Sequence, residues 1–363
     1  MVRFHLVRLE PTFELYASPV NFDPDAPLFP ISSPWEYAAE LRRRVGNYHT
    51  TGMVEDHTGL NNRRFDEVAY LAQCADALRE RERMMLYELE RFDEGFFFCL
   101  YDTPDRVQHM FWRFREDGHP ANAGEPIRAE YRRVIEEEYR RADAVVGRAL
   151  AFADDNTLFI ALSDHGFGSF QRGVHLNTWL HDHGFLALKG GVRPGPDAGD
   201  FFRHVDWGRT QAYALGLGSI YLNVRGRERD GIVAPSEAGQ VAESIARGLG
   251  GLVDEARGAV AIRRVFRREE VYAGAYAAES PDLVVGFARG YRVSWATSLG
   301  GMPAGHFEDN TKRWGGDHIV DPTLVPGVLF MNRPFDTEGA RLVDLAPTIL
   351  AALGVPPGPA MEG

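Results

Sequence analysis

The sequence predicts an α/β protein, with a mostly parallel sheet flanked by helices and a smaller α+β subdomain inserted into it. Three observations carry this. Residues 96–101 are apolar at every position, which suits a strand buried on both faces of a parallel sheet. Residues 126–152 form a long stretch with helical amphipathic period. Residues 157–162 are a second apolar run, and the order strand, helix, strand is the βαβ unit that builds parallel sheets.

The elements follow in order. Residues 1–84 read as a peripheral region, opened by an extended, turn-rich stretch punctuated by Pro11, Pro19, Pro24, Pro27, Pro30 and Pro34. Helical pattern follows at 33–45 and across 65–92, where Val68, Leu71, Ala72, Ala75, Leu78, Met85 and Leu89 recur at helix-like intervals. In the 126–152 helix, Ile127, Tyr131, Val134, Ile135, Ala142, Val145, Val146 and Ala149 share one stripe, while Arg132, Glu136, Glu137 and Arg140 face out. Composition shifts after Leu188, where a Gly/Pro-rich loop leads into short strands (218–224) and a helix (236–249). This places the inserted subdomain at 189–280. Sheet pattern resumes at 282–287 and 327–332 and closes with a helix at 344–353, with Asp344 as N-cap and Pro347 in the first turn. The α/β core is therefore expected at 85–188 and 281–363.

The chain has 363 residues, enough for one large domain or a large domain carrying a smaller one. Its net charge of −12 argues against a nucleic-acid polymer as main partner, because a phosphate backbone repels an acidic surface. A bound divalent ion still attracts a phosphate locally. The two cysteines, Cys74 and Cys99, make no disulfide framework. Neither a signal-peptide pattern nor an apolar run approaching ~18 residues is present, so a cytoplasmic protein without a membrane span is expected.

Chemistry concentrates where the apolar runs end, which is where open α/β sheets bind ligands. The second run passes directly into Ser163-Asp164-His165-Gly166-Phe167, placing an oxygen and a nitrogen ligand side by side. Two polar groups at the end of a buried strand need partners. The first run passes into a helical turn carrying Asp105 and His109, whose four-residue spacing puts both on one face. His318, in Gly315-Gly316-Asp317-His318, precedes the third run. Singly these are ordinary polar residues. Their common order and placement make them candidate metal ligands.

Asp105-Arg106-Val107-Gln108-His109, Ser163-Asp164-His165-Gly166-Phe167 and Gly316-Asp317-His318 resemble the type I phosphodiesterase/nucleotide pyrophosphatase branch of the alkaline phosphatase superfamily. Further text in keeping with it is 174–180, 216–223, 268–272 and 344–350. The resemblance implies an alkaline-phosphatase-like core and a phosphodiester or nucleotide-like small-molecule substrate. It also implies two divalent ions, zinc first and manganese or magnesium as alternatives. Asp105, His109 and His318 would hold one ion, and Asp164 and His165 the other. The implied mechanism is phosphoryl transfer to a protein hydroxyl, followed by hydrolysis.

The family also places a further aspartate at the end of its first strand, and a Thr or Ser nucleophile soon after. Nothing before Asp105 matches either; Thr50 and Thr51 qualify by residue type alone. The second ion is thereby left with two protein ligands, fewer than the three or four of known zinc sites. The expectation is that Met1 is a start placed within a longer reading frame, and that this chain alone is weakly active or inactive. Its sheet, lacking a central strand, would aggregate or take the missing segment from upstream or from another chain. The alternative function is a catalytically incomplete fragment or partner subunit retaining part of the metal site. A phosphoglycerate-mutase-like enzyme is a further alternative, since those enzymes also use Asp-His-Gly. A sulfatase, which needs a Cys or Ser followed by x-Pro-x-Arg, finds no support, since neither Cys74 nor Cys99 is followed by that pattern.

Overall fold

The computed structural model describes residues 1–124 and 126–361. The chain divides into two compact units. Met1–Phe111, Arg128–Asp164 and Gly327–Gly363 make the first; Trp112–Ile127 and His165–Pro326 make the second.

Helices dominate the first unit. Asp66 caps the longest, Glu67–Leu89, by accepting from the Ala69 N–H, so an orphan donor of the first turn is satisfied by the residue that starts the helix. Its buried Tyr70, Cys74, Leu78 and Met85 share a core with Val107, Met110 and Phe111 of the helix Thr103–Phe111 and with Ile135 and Val145 of the helix Val134–Leu150. An antiparallel hairpin, Phe4–Arg8 with Glu14–Ala17, lies at the start of the chain. Ile160–Leu162 pairs antiparallel with Leu329–Met331.

Three expectations need correction here, the first being the mostly parallel sheet, since nearly all described strand pairs, that of Ile160–Leu162 included, run antiparallel. Residues 96–101 form no strand, and among the described residues 93–101 make no backbone hydrogen bond. Their side chains nonetheless alternate as in a strand: Phe96 (57% exposed), Phe98 (71%) and Leu100 (56%) face out, while Phe97 and Cys99 are half-buried. The run has the composition of a buried strand but no neighbour supplies its ladder. The helix expected over 126–152 is α-helical only from Val134 to Leu150; a 3₁₀ stretch, Ala129–Arg133, precedes it, and no side chain caps the junction.

The second unit holds two sheets and one large core. Ala212–Leu215, Ser219–Leu222, Leu283–Phe287 and Ile262–Arg267 form a four-stranded antiparallel sheet in that order. The helix Ala238–Leu249 packs on it through Ala242, Ile245 and Leu249. The other sheet centres on Gly168–Val174, flanked by Gly290–Val293 in parallel and Phe307–Asp309 antiparallel; Gly316–Asp317 pairs with its first two residues. The architecture is thus mixed α/β in several small sheets. Among the described strands only Gly290–Val293 and Gly168–Val174 run parallel to each other. No helix among the described residues is long and apolar enough to cross a membrane.

Candidate metal centre

Asp105 and His109 stand on the Thr103–Phe111 helix of the first unit. Pro104, in its first turn, has a backbone angle already suited to a helix start and lacks a donor that would be orphaned there. A carboxylate at Asp105 is favoured by the helix dipole. Burial of Val107, Met110 and Phe111 fixes the rotation of the helix and leaves His109 only 2% exposed.

His109 Nε2 lies 3.4 Å from Asp105 Oδ2. That is longer than a good N–H···O hydrogen bond. It matches the ~3.3 Å expected between two ligand atoms that each bind one tetrahedral zinc at roughly 2.0–2.1 Å. The carboxylate–imidazole pair therefore fits a divalent ion. Arg106 Nη1 donates to the same carboxylate oxygen at 2.5 Å, holding positive charge beside Asp105 Oδ2.

Asp164 follows the strand Ile160–Leu162 and is exposed. The preceding Ser163 is occupied structurally: its N–H donates to Val328 C=O at 3.0 Å and its Oγ accepts from the Val328 N–H at 2.9 Å. Thr50 Oγ1 donates to Phe22 C=O and Thr51 Oγ1 to Asn21 Oδ1, so both hydroxyls serve local structure.

The second unit brings His165 and His318 together, their rings stacked with centroids 3.6 Å apart and planes 14° from parallel. The Phe167 and His318 rings are T-shaped to each other, with centroids 5.5 Å apart. His165 Nδ1 lies 3.0 Å from Gly166 C=O. A carbonyl only accepts, so Nδ1 is the donor, and in the neutral ring Nε2 then offers the lone pair, the arrangement found in metal-ligating histidines.

His318 sits at the end of a densely tied loop. His119 Nε2 donates to Phe170 C=O (2.9 Å) and Gly315 C=O (3.1 Å), and its Nδ1 accepts from the Ala121 N–H. Asn310 Nδ2 donates to Phe170 C=O and Trp314 C=O. Asp317 is buried and faces Arg292, itself buried, at 2.7 Å. Sequence reasoning missed Arg292, Trp314 and Asp317 as supports. One signal was available: Arg292 interrupts the otherwise apolar strand Gly290–Val293, and a buried charge demands a partner.

The chain matches the family described as Type I phosphodiesterase / nucleotide pyrophosphatase over residues 24–318, a span that includes all five candidate ligands. It belongs to that family, whose members hydrolyse phosphodiester and pyrophosphate bonds and are typically metal-dependent. No curated protein matches the chain.

Proposed function

We propose that this chain is a metal-dependent phosphoric ester hydrolase of the phosphodiesterase or nucleotide pyrophosphatase type, with two divalent ions acting on a small phosphodiester or nucleotide-like substrate. The observation that carries the proposal is the Asp105–His109 separation, which is that of two ligands on one ion, in a chain of this family. In this reading Asp105, His109 and His318 hold one ion, and Asp164 and His165 the other. Zinc suits the imidazole-rich set, with manganese or magnesium as alternatives. When bound, the ions supply charge stabilisation to the phosphoryl oxygens and acidify an attacking hydroxyl. The chain's residues contribute orientation: the Gly166 carbonyl selects the His165 tautomer, and helix packing aims Asp105 and His109. The same reading takes 85–188 with 281–363 as an alkaline-phosphatase-like core, 1–84 as peripheral and 189–280 as an insert. It places the protein in the cytoplasm.

A second reading is favoured by one observation. The strand-like, uncovered run at 96–100 supports a partner-subunit reading, in which the chain retains part of the metal site and accepts a further β-strand from another chain.

The test is release of p-nitrophenol from bis-p-nitrophenyl phosphate by the purified chain, with zinc, manganese or magnesium and after chelation. Metal-dependent hydrolysis that Asp105→Asn and Asp164→Asn each lower at least 100-fold supports the first reading. Metal binding without hydrolysis supports the second. Interconversion of phosphoglycerates in place of diester cleavage would transfer the chain to the mutase alternative, and absence of metal binding overturns all three.

A further inference from the structure

Resting on the assignment of His318 as a ligand, we infer that Asp317, clamped by Arg292 and Trp314, is the positioning residue that sets His318 for its metal. Both oxygens of Asp317 are committed. Oδ1 accepts from the N–H groups of His318 (2.8 Å) and Ile319 (3.0 Å). Oδ2 faces Arg292 Nε (2.7 Å) and accepts from Trp314 Nε1 (2.9 Å). A carboxylate held on both oxygens cannot rotate, so the peptide entering His318 has a fixed plane and its Cβ a fixed direction.

Arg292 is immobilised in turn. Its guanidinium lies over the rings of Trp295 (4.2 Å) and Phe170 (4.9 Å), and its Nη1 donates to Val293 C=O. Asp317 also pairs with Gly168 in the sheet, so the clamp shares a strand with the residues that follow His165.

Stability alone accounts poorly for such a pair. Arg292 and Asp317 are 3% and 2% exposed, and a buried ion pair is weak support for a fold, often matched by apolar residues of the same volume. Its position decides the matter: the acidic partner is the residue before the candidate ligand and bonds that ligand's own N–H. Groups that orient a metal ligand typically account for 10–100-fold in metal affinity.

The experiment uses the full chain with ¹³Cε1-labelled histidine. In the metal-free protein the His318 signal, assigned by its loss in His318→Ala, carries ring-current shifts from His165 and Phe167. Asp317→Asn and the milder Trp314→Phe should move that signal toward an unstacked histidine and leave the partly exposed His181 in place. Metal affinity, read by competition with a chromophoric chelator, should fall 10–100-fold in Asp317→Asn. In the His318→Ala background the same substitution should change affinity less than twofold, because its effect runs through His318.

An unmoved His318 signal in both variants overturns the inference, as does a full additive loss of affinity in the double variant. Should Asp317→Asn not fold, Trp314→Phe decides alone by the same signal. If His318→Ala leaves metal affinity unchanged, the ligand assignment fails, while the histidine signal still decides whether Asp317 positions His318.

Discussion

His175 is held neutral by its surroundings. It is buried, its Nδ1 lies 2.8 Å from Ser294 Oγ, and Glu308 Oε2 is 3.8 Å from Nε2. Burial first, and the charge of His306 second, bring its pKa down from 6.5 to about 4. The folded state therefore binds its proton less readily than the unfolded chain. Between about pH 4 and 6.5 the unfolded state carries the extra proton, so stability from this group is complete above 6.5 and is lost as pH falls toward 4. The full effect is about 3 kcal/mol. His57 and His119, also lowered by burial, add in the same direction. Denaturant unfolding of the wild type should show stability climbing across this window. His175→Asn should show a shallower climb, and equal slopes would remove His175 as a cause.

At the scale of elements, the loop 314–318 depends on having no side chain at Gly315. A Cβ there would lie 2.6 Å from Arg113 Cβ and 3.0 Å from the His119 ring. Gly315→Ala should cost about 1–3 kcal/mol by overpacking. Thermal melting gives that cost directly, and an unchanged Tm would show that the loop yields. The helix carrying Asp105 and His109 was legible in the sequence, because an i, i+4 pair needs only local geometry to share a face. The support of His318 was not, since Arg292 approaches it from a separate strand and no local period records that contact. The run at 96–101 was misread for a related reason. Apolar composition says what a segment can bury, whereas a strand also needs a neighbour for its backbone. Leu283–Phe287 came out close to expectation with its packing partners in place, and Leu345–Ala352 did so although only Pro347 in it is buried, because its start and period are local signals.

Over the whole molecule, exposed apolar surface is the dominant liability. Phe96, Phe98 and Leu100 are exposed on one extended segment, and Leu162 and Phe330 are exposed on the two-stranded pairing of the same unit. An uncovered segment of this kind is a template for association with other chains. Sedimentation velocity of the isolated chain should show self-association at micromolar concentration, which Phe96→Asp with Phe98→Asp suppresses; a monodisperse wild type would count against this. Cys99 lies within that segment, and Cys74 is sealed in the core of the same unit. Burial pushes both thiols up, but Cys74 has no route to a reagent short of unfolding. The chain thus carries its own chemical clock. The rate at which Cys99 is alkylated, timed against Cys74, reports whether anything has settled over the segment, without a label being introduced.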